Sequence, residues 1–239
     1  MSASRANYQG QLDFFDPAKF GHDVHVIGVG GIGTNLVLQL VKLGLRTTLH
    51  LWDPDYIEGH NIPTQLFYRV DQVGKPKVDI AAQFLTEFAD PSLRIVTHQE
   101  KVTPDTVLEG VVLSGVDNMA ARHDIWKAVE DNPFVPLYVD GRIGGEQYML
   151  VAFNPFETVA VQYYLDNWMF DDAEASTLPC TGRTNIHTSM VLGGHMVAQV
   201  SRLYRGQEPT LWINGHAGTG WQTMLTLEQF KAQLAKKEK

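Results

Sequence analysis

The chain has 239 residues and a formal net charge of -8, from 19 lysines and arginines against 27 aspartates and glutamates; this suits one α/β domain and offers no long basic block for a nucleic-acid backbone. No stretch approaches the roughly 18 uninterrupted apolar residues that span a bilayer, and the N-terminus has neither the basic start nor the apolar run of a signal peptide. We therefore expect a soluble, cytoplasmic protein that binds neither nucleic acid nor a membrane.

The first regular elements are predicted over residues 23–45, where a β-branched run, a glycine cluster and apolar residues at helical spacing indicate a strand, a tight loop and a helix. The same alternation continues with strands over 47–53, 94–100, 110–118 and 136–141 and helices over 75–88 and 119–130. Strands that alternate with helices in this way predict a parallel sheet with crossover helices.

Beyond residue 141 the pattern changes. The sequence predicts antiparallel strands over 142–165 joined at Asn154-Pro155, a loop over 166–184, a helix over 185–206, a hairpin over 210–226 and an end helix over 227–239. The predicted fold is therefore α/β: a Rossmann-like, mostly parallel sheet flanked by helices and extended by antiparallel strands in the C-terminal part. The chain has no internal repeat or low-complexity linker, so residues 1–239 are predicted to form a single domain.

A glycine fingerprint lies between the first strand and helix. Gly28, Gly30 and Gly33 form GxGxxG, where missing side chains let backbone amides approach a phosphate at the helix N-terminus. Asp53 follows Gly33 by 20 residues at the end of the second strand, where a carboxylate can bind ribose hydroxyls. The pattern predicts a nucleotide site but fits NAD as well as ATP, so an NAD(P)-dependent oxidoreductase stays open, as does a turn that serves only helix packing.

Further motifs follow in a fixed order over residues 24–122. They are Gly28, Gly30, Gly31 and Gly33 as GxGGxG; Asp53-Pro54-Asp55; Asn61 with Gln65; Val73-Gly74 with Lys77; and Asp117-Asn118. In this combination the chain resembles the ThiF/MoeB/ubiquitin-activating superfamily. The resemblance implies a ThiF-like adenylation domain that forms a homodimer. It also implies that this domain uses ATP and Mg²⁺ to adenylate the C-terminal tail of a small ubiquitin-like or sulfur-carrier protein.

The resemblance also implies roles for single residues. Lys77 would contact the phosphates and Asp117 would hold Mg²⁺, both as catalytic residues, and the nucleotide would be bound by the glycines together with Asp53, Asp55, Asn61, Gln65, Asn118 and Arg122. The chemistry needs positive charge, because an anionic carboxylate must approach the polyanionic triphosphate. Each residue also has a plain structural alternative: Lys77 as a solvated lysine at a helix start, Asp117 as a helix N-cap and Asn61 as a turn former.

Two positions depart from the family pattern. Thr64 stands where the family usually has an arginine in N-x-x-R-Q, and Tyr8 stands where a lead segment of the form R-x-N-R-Q has its second arginine, although Arg5 is kept. We expect Arg69, Lys75 or Arg122 to compensate for the missing charge. Otherwise turnover is slow, or the chain is a non-catalytic subunit that holds a carrier for another enzyme.

Cys180 is the one cysteine of the chain, which excludes a disulfide framework or a paired CxxC zinc site within it. Pro179 precedes it and Thr181-Gly182-Arg183 follow, which resembles the surroundings of the thioester-forming cysteine in ubiquitin-activating enzymes. By that resemblance, Cys180 in the 166–184 loop is a third catalytic residue that takes the acyl group from the adenylate. The alternative is a small buried hydrophobic residue.

Overall fold

The structure, a computed structural model, describes residues 7–170 and 185–237. Its strands are β1 (Val24–Ile27), β2 (Thr48–Trp52), β3 (Arg94–His98), β4 (Val111–Ser114), β5 (Leu137–Gly144), β6 (Gln147–Phe153), β7 (Trp212–His216) and β8 (Trp221–Leu225). Its helices are α1 (Gly31–Leu43), α2 (Lys77–Thr86), α3 (Met119–Val129), α4 (Thr158–Trp168), α5 (Ile186–Tyr204) and α6 (Leu227–Lys237). Within the described ranges, no helix is long and apolar enough to cross a membrane.

The strands form one sheet in the order β3-β2-β1-β4-β5-β6-β7-β8. Strands β1 to β5 pair in parallel, and β6, β7 and β8 extend the sheet through antiparallel pairs. This confirms the predicted fold class. The chain order reverses between β1 and β4, and ligands of open α/β sheets bind at such a point, outside the carboxyl ends of the strands. We call the side of the sheet where the parallel strands end the carboxyl edge.

Apolar side chains cover both faces of the sheet. On one face, α1, α2 and α5 bury a cluster that includes Leu36, Leu40 and Met196, and on the other face, α3 and α4 bury a cluster around Trp126 and Tyr164. The spacing of the apolar residues decides which face of each helix is buried. Both helical layers thereby fix the carboxyl edge, from which the loops of the site emerge.

The segment predicted as a second antiparallel strand is in part a helix. Val159 and Val161 alternate as in a strand, but Ala160, Tyr164 and Trp168 recur every four residues and are all buried. Burial of that helical face stabilises α4, so the strand prediction over its residues is wrong. The predicted loop 166–184 is wrong at its start for the same reason, since α4 extends to Trp168.

The turn between the two antiparallel strands also differs from the prediction. It lies at Gly145 and Glu146, between β5 and β6, and not at Asn154-Pro155. Gly145 has a φ of 63°, a left-handed conformation that glycine adopts without a steric penalty. The helix predicted over 185–206, the hairpin over 210–226 and the C-terminal helix are confirmed.

Candidate nucleotide site

The glycine turn joins β1 to α1 at very close range. Gly28 has a φ of 89°, and a Cβ built on Gly33 would lie 1.9 Å from the Gly28 carbonyl oxygen. Gly30 occupies the N-cap position without a side chain to bind the first amides of α1, and the first turn contains no acidic residue. Amides at a helix start that have no side-chain cap favour an anion. The turn therefore fits a phosphate group.

Asp53 connects the glycine turn to the end of β2. The Val29 amide donates a 2.7 Å hydrogen bond to Asp53 Oδ2, and the Asp55 amide donates a 2.9 Å bond to Oδ1. Burial raises the pKa of the Asp53 carboxyl, while the Lys77 ammonium and these two amides act in the opposite direction. The predicted ribose ligand is thus placed at the turn, with both oxygens already accepting bonds from the backbone.

Lys77 is the first residue of α2 and lies at the same place. Its Nζ is 3.8 Å from Asp53 Oδ1 and donates a 2.9 Å hydrogen bond to Asp55 Oδ2. The hydroxyl of Tyr68 lies 3.0 Å from the carbonyl oxygen of Val29 and 3.1 Å from that of Lys77, so it links α2 to the glycine turn. Lys77 is buried. The alternative of a solvated lysine is therefore wrong.

Asn61 ends a short 3₁₀ helix, Gly59–Asn61, and Gln65 follows four residues later. Asn61 Oδ1 accepts a 2.8 Å hydrogen bond from the Glu58 amide, so its structural role as a turn former is present. Gln65 is buried beside the glycine turn, with Nε2 3.9 Å from a Cβ built on Gly30, and its Oε1 has no hydrogen-bond partner within the described chain. The Thr64 hydroxyl donates a 3.2 Å hydrogen bond to the Asn61 carbonyl oxygen.

The loop that carries Asp117 starts beside the glycine turn because β4 is the neighbour of β1. Ile27 pairs with Ser114, and a Cβ on Gly28 would lie 3.1 Å from the Gly115 carbonyl carbon and oxygen. Asp117 itself is exposed. It is not the N-cap of α3, because the next residue, Asn118, accepts a 2.8 Å hydrogen bond from the Ala121 amide. The N-cap alternative for Asp117 is thus wrong, and its carboxylate faces solvent at the carboxyl edge.

Arg122 is buried on α3 and binds groups of the chain itself. Its Nε donates a 3.1 Å hydrogen bond to Asp140 Oδ1, and the guanidinium also donates to the carbonyl oxygens of Val116 and Asn118. Burial lowers the pKa of Arg122, but the Asp140 carboxylate, with smaller contributions from Tyr164 and Tyr138, raises it, and the net pKa is raised. The residue predicted to bind the cofactor therefore lies behind the loop that carries Asp117, with its donors engaged.

The sequence did not single out Asp140 and Arg142. They lie two residues apart on β5, on one face, and the Arg142 guanidinium donates a 3.0 Å hydrogen bond to Asp140 Oδ2. Two opposite charges at this spacing within an apolar strand are the signal that would have found them, because a strand places residues i and i+2 on the same side.

A row of histidines on β1, β2 and β3 was also not predicted. His50 Nδ1 lies 3.0 Å from His98 Nε2, the His25 and His50 rings stack at 4.3 Å, and Trp52 Nε1 donates to His25 Nδ1 at 3.1 Å. Burial lowers the pKa of His25 to about 4, and burial also lowers the pKa of His50 and His98. The three rings lie on the face of the sheet that carries Trp52. Their lowered pKa values keep them uncharged at neutral pH.

The lead segment lies at the opposite end of α1 from the glycine turn. Gln11 Nε2 donates a 2.7 Å hydrogen bond to the Leu43 carbonyl oxygen, and the Arg46 guanidinium lies 5.6 Å from the centre of the Tyr8 ring. Since an α-helix rises 1.5 Å per residue, the length of α1 separates this segment from the turn by about 20 Å. Arg5 and Cys180 lie outside the described residues.

Comparison with known proteins agrees with the motif order. A sequence model of the ThiF family matches residues 20–231. The chain is 31% identical over 140 residues to the sulfur carrier protein ThiS adenylyltransferase of Escherichia coli (strain K12), a match that covers 56% of this chain and 54% of that protein. It is 34% identical over 126 residues to ubiquitin-like modifier-activating enzyme 5 of Drosophila virilis, covering 46% and 31%. The chain thus spans about half, or less, of these relatives.

Solved structures show the same fold at low sequence identity. Escherichia coli MccB in complex with MccA-N7isoASN superposes with a TM-score of 0.67 at 16% identity, covering 87% of this chain and 65% of that one. PaaA superposes with a TM-score of 0.63 at 19% identity, covering 86% and 64%. At such identities the likeness concerns the fold alone.

Proposed function

The chain belongs to the ThiF family, and we propose from this that it uses ATP to adenylate the C-terminal carboxylate of a small ubiquitin-like or sulfur-carrier protein. The observation that carries the proposal is the position of Lys77, a buried ammonium tied to the glycine turn through Asp53 and to the solvent-facing Asp55. The printed names of the relatives support an adenylyltransferase over an oxidoreductase, since one adenylates the sulfur carrier ThiS and another activates a ubiquitin-like modifier.

The proposed reaction joins two anions. A carboxylate oxygen of the carrier attacks the α-phosphorus of ATP, the bond from that phosphorus to the bridging oxygen breaks, and pyrophosphate leaves with the electron pair. The acyl-adenylate remains. The amides at the start of α1 offset part of the phosphate charge, and Lys77 offsets more once it exchanges the exposed Asp55 carboxylate for a phosphate.

The residues present also fit Mg²⁺. This ion prefers carboxylate oxygens and keeps several waters, so it suits an exposed carboxylate next to the phosphates. Asp117 is such a group at the carboxyl edge, on the loop that starts beside the glycine turn. When bound, Mg²⁺ supplies further positive charge to the triphosphate. Asp53, Asp55, Asn61, Gln65 and Asn118 then remain the proposed nucleotide ligands. Among them, Gln65 lies beside the glycine turn and has a buried Oε1 that accepts no hydrogen bond from the described residues.

Three residues were predicted to supply the positive charge that is missing because Thr64 stands where the family has an arginine. Arg122 binds Asp140 and backbone carbonyls, which leaves Arg69 and Lys75 as the proposed sources of charge. Arg69 pairs with the exposed Asp71 on the surface, a contact that costs little to break. A second copy is another source, because residues 7–11 lie at the far end of α1 from their own glycine turn. We propose a homodimer for this reason.

Other parts of the proposal extend the family relationship. Residues 1–239 form one adenylation domain, the protein works in the cytoplasm, and Cys180 forms a thioester with the carrier after adenylation. The non-catalytic alternative, a subunit that only holds the carrier, rests on Thr64 and Tyr8. It predicts that substitution of Lys77 and Asp117 by alanine leaves carrier binding and partner function intact.

Two measurements test the proposal. Calorimetric titrations with MgATP and with NADH separate the adenylyltransferase from the oxidoreductase, and we expect heat of binding for MgATP only. Radiolabelled ATP–pyrophosphate exchange is then measured with candidate carriers that end in Gly-Gly, identified by pull-down and mass spectrometry. Exchange that depends on a carrier supports the proposal. MgATP binding without exchange for any bound carrier supports the non-catalytic alternative.

A further inference from the structure

The loop that carries Asp117 is held from behind by one guanidinium. Arg122 donates to the carbonyl oxygen of Val116 and, at 3.4 Å, to that of Asn118, which are the residues on either side of Asp117. A third carbonyl, that of Gly141 on β5, lies 3.4 Å from the same guanidinium. The backbone at Asp117 therefore depends on the orientation of Arg122.

Asp140 fixes that orientation. It is fully buried on β5, and its Oδ1 accepts the 3.1 Å hydrogen bond from Arg122 Nε. Its Oδ2 accepts a 3.0 Å bond from Arg142 and a 3.2 Å bond from the hydroxyl of Tyr164 on α4. The Tyr138 hydroxyl lies 3.1 Å from that of Tyr164. A buried carboxylate with charged and hydroxyl donors on both oxygens has one strongly preferred geometry.

Arg142 connects this carboxylate to the end of α4. Its guanidinium donates a 2.7 Å hydrogen bond to the carbonyl oxygen of Trp168, the last residue of α4. The same group lies 4.6 Å from the centre of the Trp168 ring and 5.3 Å from that of Phe170. A continuous set of hydrogen bonds, buried as far as Arg122 and partly buried beyond it, thus runs from Trp168 through Arg142, Asp140 and Arg122 to the residues that flank Asp117.

We propose that Asp140 is a positioning residue, which holds the Asp117 loop in place for the Mg²⁺·ATP complex through Arg122 and couples it to the C-terminal end of α4 through Arg142. The inference rests on the proposed function for the identity of the ligand, but the coupling is a property of the protein without ligand. Partners that orient a metal ligand from behind typically change metal affinity or activity by about 10- to 100-fold when they are removed.

The test uses Arg142→Gln, because Arg142 touches neither Val116 nor Asn118. Removal of Asp140 itself leaves two buried guanidinium groups facing each other and risks loss of the fold. We expect two effects in the full-length protein with Arg142→Gln: faster deuterium uptake over residues 115–121 without ligand, and about 10- to 100-fold more Mg²⁺ for half-saturation of ATP binding. We expect both effects to be smaller in Arg142→Lys than in Arg142→Gln, because the lysine keeps one hydrogen bond to Asp140.

Phe15→Leu is the control for general loss of stability. Phe15 is fully buried in the core near Phe20 and Tyr204, at the other end of α1 from the glycine turn. We expect Phe15→Leu to leave deuterium uptake over 115–121 and the Mg²⁺ requirement unchanged, even when its drop in melting temperature equals that of Arg142→Gln. The inference is overturned if Arg142→Gln changes uptake over 115–121 no more than Phe15→Leu does.

The two proposals fail in different ways. A wild-type protein that binds no MgATP contradicts the proposed function, while the deuterium uptake of the unliganded variants still decides whether Asp140 couples α4 to the Asp117 loop. If the wild-type protein adenylates a carrier but Arg142→Gln leaves deuterium uptake over 115–121 unchanged, only the coupling is contradicted.

Discussion

Lys77 donates a 2.9 Å hydrogen bond to Asp55, although the Lys77 side chain is only 8% exposed and that of Asp55 is 64% exposed. The ammonium is thus held in a buried position by a counter-ion that water reaches freely. An exposed carboxylate is a weak partner. An anionic ligand can therefore take the place of Asp55 while Lys77 keeps its position. This arrangement is what a phosphate site needs before its ligand arrives.

The first prediction concerns Lys77→Met, which keeps much of the apolar stem and removes the charge. We expect carrier-dependent pyrophosphate exchange to fall about 100- to 1000-fold, because the variant loses a positive group aimed at the developing charge. Exchange is measured beside Lys127→Met, which removes a surface lysine of α3 that pairs with Glu130 at the end of the same helix. Equal loss of exchange in both variants would remove the special role of Lys77.

The second prediction concerns Asp117→Asn. Because Asp117 is exposed and is not the N-cap of α3, we expect its free energy of unfolding to stay within about 0.5 kcal/mol of wild type. The Mg²⁺ concentration needed for half-maximal ATP binding should rise, since the asparagine lacks the charge that Mg²⁺ prefers. Asp105→Asn, at another exposed aspartate, is the control. A Mg²⁺ requirement that is unchanged in Asp117→Asn would contradict the assignment.

The third prediction separates two glycines of the same turn. In Gly33→Ala the new methyl group would lie 1.9 Å from the Gly28 carbonyl oxygen, so strand and helix must move apart. We expect a lower melting temperature for Gly33→Ala. In Gly30→Ala the nearest atom is Gln65 Nε2 at 3.9 Å, so the fold is kept while the methyl group occupies the space proposed for phosphate. Calorimetry should show weaker MgATP binding for Gly30→Ala at an unchanged melting temperature. Full ATP affinity in Gly30→Ala would place the phosphates elsewhere.

The fourth prediction is a pH dependence of stability that comes from His25. Burial lowers its pKa from 6.5 to about 4, so the unfolded chain binds more protons than the folded chain between these values. The stabilisation is complete above about pH 6.5 and is lost as the pH falls toward about pH 4. Urea unfolding at about pH 7 and about pH 5 should show a loss of about 2 kcal/mol from this residue, at 1.4 kcal/mol per pH unit.

His25→Gln is the matched variant for that measurement. It is less stable than wild type at neutral pH, because the Trp52 indole loses its ring acceptor, but it lacks the part of the pH dependence that His25 supplies. An identical pH profile in wild type and His25→Gln would show that other groups cause the loss.

Much of the fold follows from the sequence, because parallel strands that are buried on both faces are short apolar runs. The helices between them differ, since their apolar residues recur at helical spacing. The place of Asp53 and Asp117 follows as well, since Asp53 directly follows β2 and Asp117 lies three residues past the end of β4, and both strands end at one edge. Lys77, by contrast, had a plausible solvated alternative. Its burial and its hydrogen bond to Asp55 are visible only in the structure.

The sequence fell short where distant contacts decide the conformation. Val159 and Val161 alternate as in a strand, yet Tyr164 makes α4 helical by packing against the sheet and by binding Asp140, 24 residues away. A pattern read over a few neighbours contains no information on such a partner. The hydrogen bonds of Asp140 to Arg122 and Tyr164 were missed for the same reason, because these partners lie on two helices far from Asp140 in the chain. The histidine row was missed because it joins strands that are adjacent only in the folded sheet.

Intact-mass spectrometry of a Gly-Gly-terminated carrier, incubated with this protein and MgATP and then trapped with hydroxylamine, tests adenylation most directly. We predict that the carrier gains an AMP group, that hydroxylamine converts it to a hydroxamate with release of AMP, and that Lys77→Met gives neither product while Lys127→Met gives both. A carrier of unchanged mass that is nonetheless bound tightly by a protein saturated with MgATP would contradict the proposal that Lys77 and Asp117 serve adenylate formation.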